Sequence, residues 1–104
     1  MIDQYILEGH TPVKCADLLT LIRWCQTHDR RVAHSEKDGV RISTVFLGID
    51  HGGCSDRPLL FETMVFGGEH EGDLKRYSTW DEAVEGHKNF CKEYHLPMLS
   101  LVNG

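Results

Sequence analysis

Val40-Arg41-Ile42-Ser43-Thr44-Val45-Phe46-Leu47-Gly48-Ile49 and Leu59-Leu60-Phe61-Glu62-Thr63-Met64-Val65-Phe66, joined by the polar loop Asp50 to Pro58, form the stretch on which the fold turns. Both runs are rich in β-branched and aromatic residues, and Gly52, Gly53 and Pro58 punctuate the loop, so the pair reads as two antiparallel strands. Strict alternation fails in the first run, where Val45, Phe46, Leu47 and Ile49 put bulk on both faces, as expected of the central strand of a sheet. Centring the loop on Cys54 sets Phe46 opposite Glu62 and Leu47 opposite Phe61. In that register Val45, Leu47, Ile49, Leu59, Phe61 and Val65 make a purely apolar core face. Ile42, Thr44, Phe46, Gly48, Asp50, Leu60, Glu62, Met64 and Phe66 make the other, with polar residues set among apolar ones. A slip of one residue exchanges the faces, because side chains alternate along a strand.

Upstream, Lys37-Asp38-Gly39 supplies a hairpin turn, since both central residues tolerate positive φ, and Arg31 to Glu36 becomes the strand that pairs with the central one. Leu18, Leu21, Ile22 and Cys25 recur at helical spacing, widened by Leu19, Trp24 and His28, which predicts an amphipathic helix from Ala16 to His28 or Asp29. Before it, Tyr5 to Leu7 reads as an edge strand ended by Gly9-His10-Thr11-Pro12. Downstream, Gly67 to Arg76 reads as a polar connection. Thr79 with Glu82 has the spacing of a capping box opening a helix from Trp80 to about Tyr94. Its apolar stripe is Trp80, Ala83, Val84, His87, Phe90, Cys91 and Tyr94, and Gly86 beside it permits close packing. Pro97 stops the helix, and Met98 to Val102 is either a last short strand or a docked tail. The expected fold is therefore a single α+β domain over residues 1–104: a two-layer sandwich of about four antiparallel strands and two helices in the order β-α-β-β-β-α.

At 104 residues there is room for one modest core, and 40% hydrophobic with 26% charged residues is ordinary globular composition. No apolar run approaches the roughly 20 residues that span a bilayer, and the first residues do not resemble a signal peptide, so a location in the cytoplasm and no membrane partner are expected. A net charge of −5 argues against direct nucleic-acid binding, which needs cations to neutralise phosphates. Cys15, Cys25, Cys54 and Cys91 lack the close pairing of a disulfide framework and read as reduced thiols.

Three clusters are candidates for chemistry. His51 and Cys54 have chelating-turn spacing, and His87 and Cys91 share a helix face, so these residues could hold zinc; no paired Cys-x-x-Cys or His-Glu-x-x-His motif supports it, and no cofactor is expected. Asp50, His51, Glu62 and His87 could instead form an acid/base site, because a carboxylate in an apolar strand needs a partner such as Arg41, Thr44, Arg76 or a histidine. The plainer reading is that Glu62 faces water on an uncovered sheet face while Asp50-His51 caps a turn, with His87 and Cys91 in the core. Cys54, three residues from His51, is a candidate nucleophile, although no oxyanion hole accompanies it. Gly52-Gly53 and Gly67-Gly68 lack the spacing and lysine of a phosphate loop.

The strings Ser43-Thr44-Val45-Phe46-Leu47-Gly48-Ile49-Asp50-His51, Pro58-Leu59-Leu60-Phe61-Glu62-Thr63-Met64-Val65-Phe66-Gly67-Gly68 and Arg76-Tyr77-Ser78-Thr79-Trp80-Asp81-Glu82-Ala83, with Gly86-His87, resemble a family of small proteins of tailed phages and prophages that carry no assigned function. The resemblance runs from about Tyr5 to His87. Cys54 departs from the family's Gly-rich loop, which weakens the zinc and thiol readings. What the resemblance implies is a phage origin and no particular reaction. It fits a small accessory protein that acts by protein–protein binding in the host cytoplasm, for instance inhibiting a nucleic-acid-guided defence complex in the anti-CRISPR manner, its acidic surface occupying a basic channel. The expected partner is then a host or phage protein, with a homodimer as a further option. The alternative is a small enzyme or ligand-binding protein that uses Asp50, His51, Glu62 and His87.

Overall fold

The computed structural model describes residues 3–50 and 57–96, together with the backbone of 100–101. β1 (Tyr5–Glu8) and β2 (Thr11–Lys14) form a separate hairpin. They are followed by α1 (Leu18–Thr27), β3 (Arg31–Lys37), β4 (Val40–Phe46), β5 (Phe61–Phe66), β6 (Leu74–Tyr77), α2 (Trp80–Glu93) and the short β7 (Ser100–Leu101). The main sheet has the order β6-β5-β4-β3-β7 and is antiparallel throughout. The α+β class holds, with both helices on one side: α2 packs across β3 to β6, and Trp24 of α1 meets Phe46 edge-on. Among the described residues no helix is long and apolar enough to cross a membrane.

Local signals explain most element ends. Asp38 and Gly39 both have positive φ, 52° and 82°, the conformation that a tight hairpin turn requires, and β3 and β4 emerge from it paired from Lys37 and Val40 onward. Asp17 caps α1 by accepting from the Thr20 amide at 2.9 Å. Thr79 and Glu82 form the expected capping box at the start of α2.

Three expectations are corrected. The N-terminal strand is half of a hairpin rather than a lone edge strand of the main sheet. Gly9 reverses the chain, and Pro12 is tolerated in β2 because an edge strand needs no inward amide from it. The connection from Gly67 to Arg76 contains most of β6, which adds an edge to β5; with β7 the main sheet has five strands, close to the four expected. Third, the register of β4 and β5 differs by one residue from the loop-centred expectation: Phe46 lies opposite Phe61, Val45 opposite Glu62, and Thr44 opposite Thr63. The core face therefore takes Ile42, Thr44 and Phe46 from β4 with Phe61, Thr63 and Val65 from β5, all fully buried. Val45 and Glu62 belong to the other face.

The core is organised around aromatic rings. Trp24, Phe46, Phe61 and Trp80 contact one another in series with centroid separations of 5.6, 5.3 and 6.2 Å, joining α1, the sheet and α2. His10 from the β1–β2 turn stacks on Trp80 at 3.7 Å, fastening the hairpin to the start of α2. A second apolar group, Ile42, Val65 and Cys91, lies under the far end of that helix.

Gly86 sets the distance between α2 and the sheet, because a Cβ there would fall 2.1 Å from the Tyr77 hydroxyl. Gly86→Ala raises helix propensity by about 1 kcal/mol but overpacks this contact by roughly 1–3 kcal/mol. The expected net result is a lower melting temperature, measured by circular dichroism; a higher one would show that the contact relaxes without cost.

Candidate functional site

Under α2 the core face of the sheet carries a connected group of polar side chains. His87, with no solvent exposure, places Nε2 2.9 Å from Ser35 Oγ on β3 and Nδ1 2.7 Å from Thr44 Oγ1 on β4. Thr44 in turn shares a hydrogen bond with the hydroxyl of Thr63, its cross-strand partner on β5. Cys91, one turn beyond His87, donates its thiol to Ser35 Oγ at 3.2 Å. Donors and acceptors can be ordered in one line, from the Cys91 thiol to Ser35, from Ser35 to His87 Nε2, from Nδ1–H to Thr44, and from Thr44 to Thr63. A neutral imidazole is the form that both accepts and donates in this way.

Burial shifts the groups that titrate here. Loss of water, with a smaller contribution from the charge of His34, lowers the His87 pKa to about 4, so the ring is neutral near pH 7. Burial raises the Cys91 thiol, while its bond to Ser35 works the other way. It also raises Tyr77, whose hydroxyl faces Gly86; among the described residues that oxygen has no partner of good hydrogen-bond geometry, although interaction with Thr63 offsets part of the rise.

Of the acid/base candidates, Glu62 and Asp50 do not join His87 in this group. Glu62 lies on the opposite face of the sheet from His87, where Arg76 Nε meets its carboxylate at 3.0 Å. Arg76 was among its expected partners, and the expected placement of Thr44 and Glu62 on one face is corrected by the register. Asp50 accepts from the Leu59 amide at 2.9 Å and closes the β4–β5 loop at its base, the capping role anticipated for it. His51 and Cys54 lie outside the described residues. Of the possible metal ligands, His87 has both ring nitrogens engaged by hydroxyls, and Cys91 is bonded to Ser35. Among the described residues no three His, Cys, Asp or Glu side chains are grouped to hold a metal ion. Ser35, Thr63 and Tyr77 escaped the sequence reading, and the signal that would have found Ser35 and Thr63 is their place on the inward parity of β3 and β5.

Surface features offer more than this interior. On α1 only Leu21 is buried. Leu18, Leu19 and Ile22 are 50%, 53% and 45% exposed, on neighbouring positions of one turn. Among the described residues neither helix packs on the other face of the sheet, where Val45, Glu62 and Met64 are half-buried. Cross-strand rows run Val45–Glu62–Arg76, His34–Ser43–Met64–Leu74 and Glu36–Arg41–Phe66. Arg41 lies over the Phe66 ring, 4.6 Å from its centre. Searches of protein-family models, curated proteins and solved structures found no match to the chain.

The depressed His87 pKa makes stability depend on pH. Between about 6.5 and 4 the unfolded chain binds a proton at His87 that the folded chain refuses, so stability falls as pH falls through that window. A full shift corresponds to roughly 3 kcal/mol, reduced to about 2 kcal/mol because α2 has water along its far side. Guanidinium unfolding at pH 7 and pH 4.5 should show this loss, and His87→Gln should be less stable at pH 7 with a flatter pH dependence. An equal slope in the variant would assign the loss to other groups.

Proposed function

We propose that the chain is a protein-binding module, a small phage-encoded accessory protein that works by occupying a surface of a host protein in the host cytoplasm. The observation that carries this reading is the apolar turn of α1, where Leu18, Leu19 and Ile22 stand half in solvent on a helix whose anchoring to the fold comes from Leu21 and Trp24. A turn of exposed aliphatic side chains on a short amphipathic helix suits insertion into an apolar groove of a partner. The net charge of −5 favours a groove with a basic rim, as in a defence complex that holds nucleic acid in a cationic channel. Against an enzyme stands the fate of the acid/base candidates: His87 is sealed beneath α2, and Glu62 is paired with Arg76 on the far side of the sheet.

Capture of host proteins by the immobilised chain, repeated with Leu18→Gln/Leu19→Gln, tests the proposal. Both positions are exposed, so the variant should melt within a few degrees of the parent while its affinity for the captured protein falls about tenfold or more, as for the loss of central interface anchors. Phage fitness in that host should fall with it. A variant that keeps both affinity and fitness would place binding elsewhere.

A further inference from the structure

Beside the last turn of α2 lies a hollow of about 270 Å³, walled by the half-buried side chains of Val40, Tyr94 and Leu96. Two glycines shape its other side. Gly67 and Gly68 have φ of 82° and 74°; a Cβ on the first would strike the Gly39 carbonyl, and one on the second would fall 2.8 Å from a Val40 methyl, so the chain folds tightly over the β3–β4 turn. The loop that follows holds itself together, the Gly67 amide donating to the Glu71 carboxylate at 3.2 Å and the Asp73 amide to the His70 carbonyl at 3.0 Å. Tyr94 fastens it to α2: its hydroxyl donates to Asp73 at 2.8 Å and its ring stacks on His70 at 4.2 Å. Glu69 from the loop and Glu93 from the helix thereby line one hollow, and among the described residues neither carboxylate is in an ion pair. With histidines counted neutral the lining carries a formal charge of −2, His70 and His95 being titratable members of it beside Tyr94. The neighbouring cations do not cancel this charge. Lys37 is matched by Asp38 on an adjoining hollow, Arg41 lies over Phe66, and Lys92 is exposed to water outside the lining. The closing carbonyls of α2 add the negative end of its dipole.

We propose that this hollow receives the side chain of an arginine on the surface of a partner protein. Its size points to one long side chain, since sites that enclose a whole small molecule start at roughly 300 Å³. Its lining combines apolar walls with two carboxylates, and an arginine combines an apolar stem with a cationic head. Arginine suits it better than lysine. The guanidinium is flat, weakly hydrated and carries donors on several sides, so it can lie along the stacked rings of His70 and Tyr94 and reach carboxylates that come from two different elements; an ammonium is a compact, strongly hydrated point charge. The loop is already folded and tied to α2, so little ordering opposes binding. A net charge of −5 draws the basic surface of a protein toward it. No residue of α1 lines the hollow, so its occupancy does not require the apolar contact proposed for that helix.

Titration of the ¹⁵N-labelled full chain with N-acetylargininamide, followed by amide chemical shifts, tests the proposal. The cross-peaks of Glu69, His70, Tyr94 and Leu96 should move saturably with a dissociation constant of a few millimolar, about the strength open to a ligand of about fifteen non-hydrogen atoms. N-acetylcitrullinamide, the neutral analogue of the same shape, should leave them in place, and N-acetyllysinamide should bind more weakly. Glu69→Gln/Glu93→Gln should weaken arginine binding about fivefold, as for the loss of two exposed ion pairs, with an unchanged circular dichroism spectrum because both positions are exposed. Glu93→Gln alone provides the same test should the double variant fail to fold. Leu18→Gln/Leu19→Gln should bind the probe as the parent does, which separates this site from the one on α1. Shifts that spread over the surface without saturating overturn the proposal, as do equal binding of the citrulline or lysine analogue and an affinity that the glutamine variants leave unchanged.

Discussion

His87 can occupy the interior only as a neutral ring with both nitrogens engaged, and that requirement ties α2 to two strands at once. A buried polar atom left without a partner costs about 1–3 kcal/mol, so the hydroxyls of Ser35 and Thr44 are conditions of the helix position as much as its consequences. Thr44 must in turn lie opposite Thr63, which sets β4 against β5. Sliding one strand by a single residue would turn either Phe46 or Phe61 out of the core and bring Val45 or Glu62 inward in its place. The second exchange would bury a carboxylate that now reaches Arg76. Register, helix docking and the neutrality of one imidazole are thus one constraint stated three ways. Gly86 completes it by letting α2 approach Tyr77 closely enough for His87 to reach the strands.

The same constraint decides which surfaces remain for function. All the bulk that can be buried goes to one side of the sheet, where the aromatic series from Trp24 to Trp80 fills the space between the helices and the strands. The other side keeps water on Met64, Phe66 and Leu74. At the end of the sheet, α1 meets the core through Leu21 and Trp24 and leaves its remaining aliphatic side chains outside. Among the described residues, chemistry that looked available in the sequence is spent on structure: the His87 imidazole on Ser35 and Thr44, the Cys91 thiol on Ser35, Asp50 on the loop and Glu62 on Arg76. Among the described residues, the large apolar side chains left in water are Leu18, Leu19 and Ile22 on α1 and Phe66 and Leu74 on the sheet.

Elements whose physics comes from neighbours in sequence are legible in the chain alone. The capping box of Thr79 and Glu82, the Asp38-Gly39 turn and the stripe from Trp80 to Cys91 are each settled within a few residues. Strands that interact weakly with their own neighbours in sequence are harder. β6 reads Leu74-Lys75-Arg76-Tyr77, whose charges suit an edge and look like a loop, and Pro12 in β2 looks like a stop. The β4–β5 register is hardest, since Ile42 and Phe46 compete with Val45 and Leu47 for the inward side, and Phe61 and Val65 compete with Met64 and Phe66. Hydrophobicity alone cannot rank those two parities.

By itself, then, the sequence determined the α+β class, both helices, the central hairpin and the presence of His87 on a buried stripe, because periodicity and capping are properties of short segments. Only the tertiary structure decided which face of the sheet is the core. That choice depends on a histidine more than 40 residues from Thr44 finding two hydroxyls at once, and no local pattern carries such a contact.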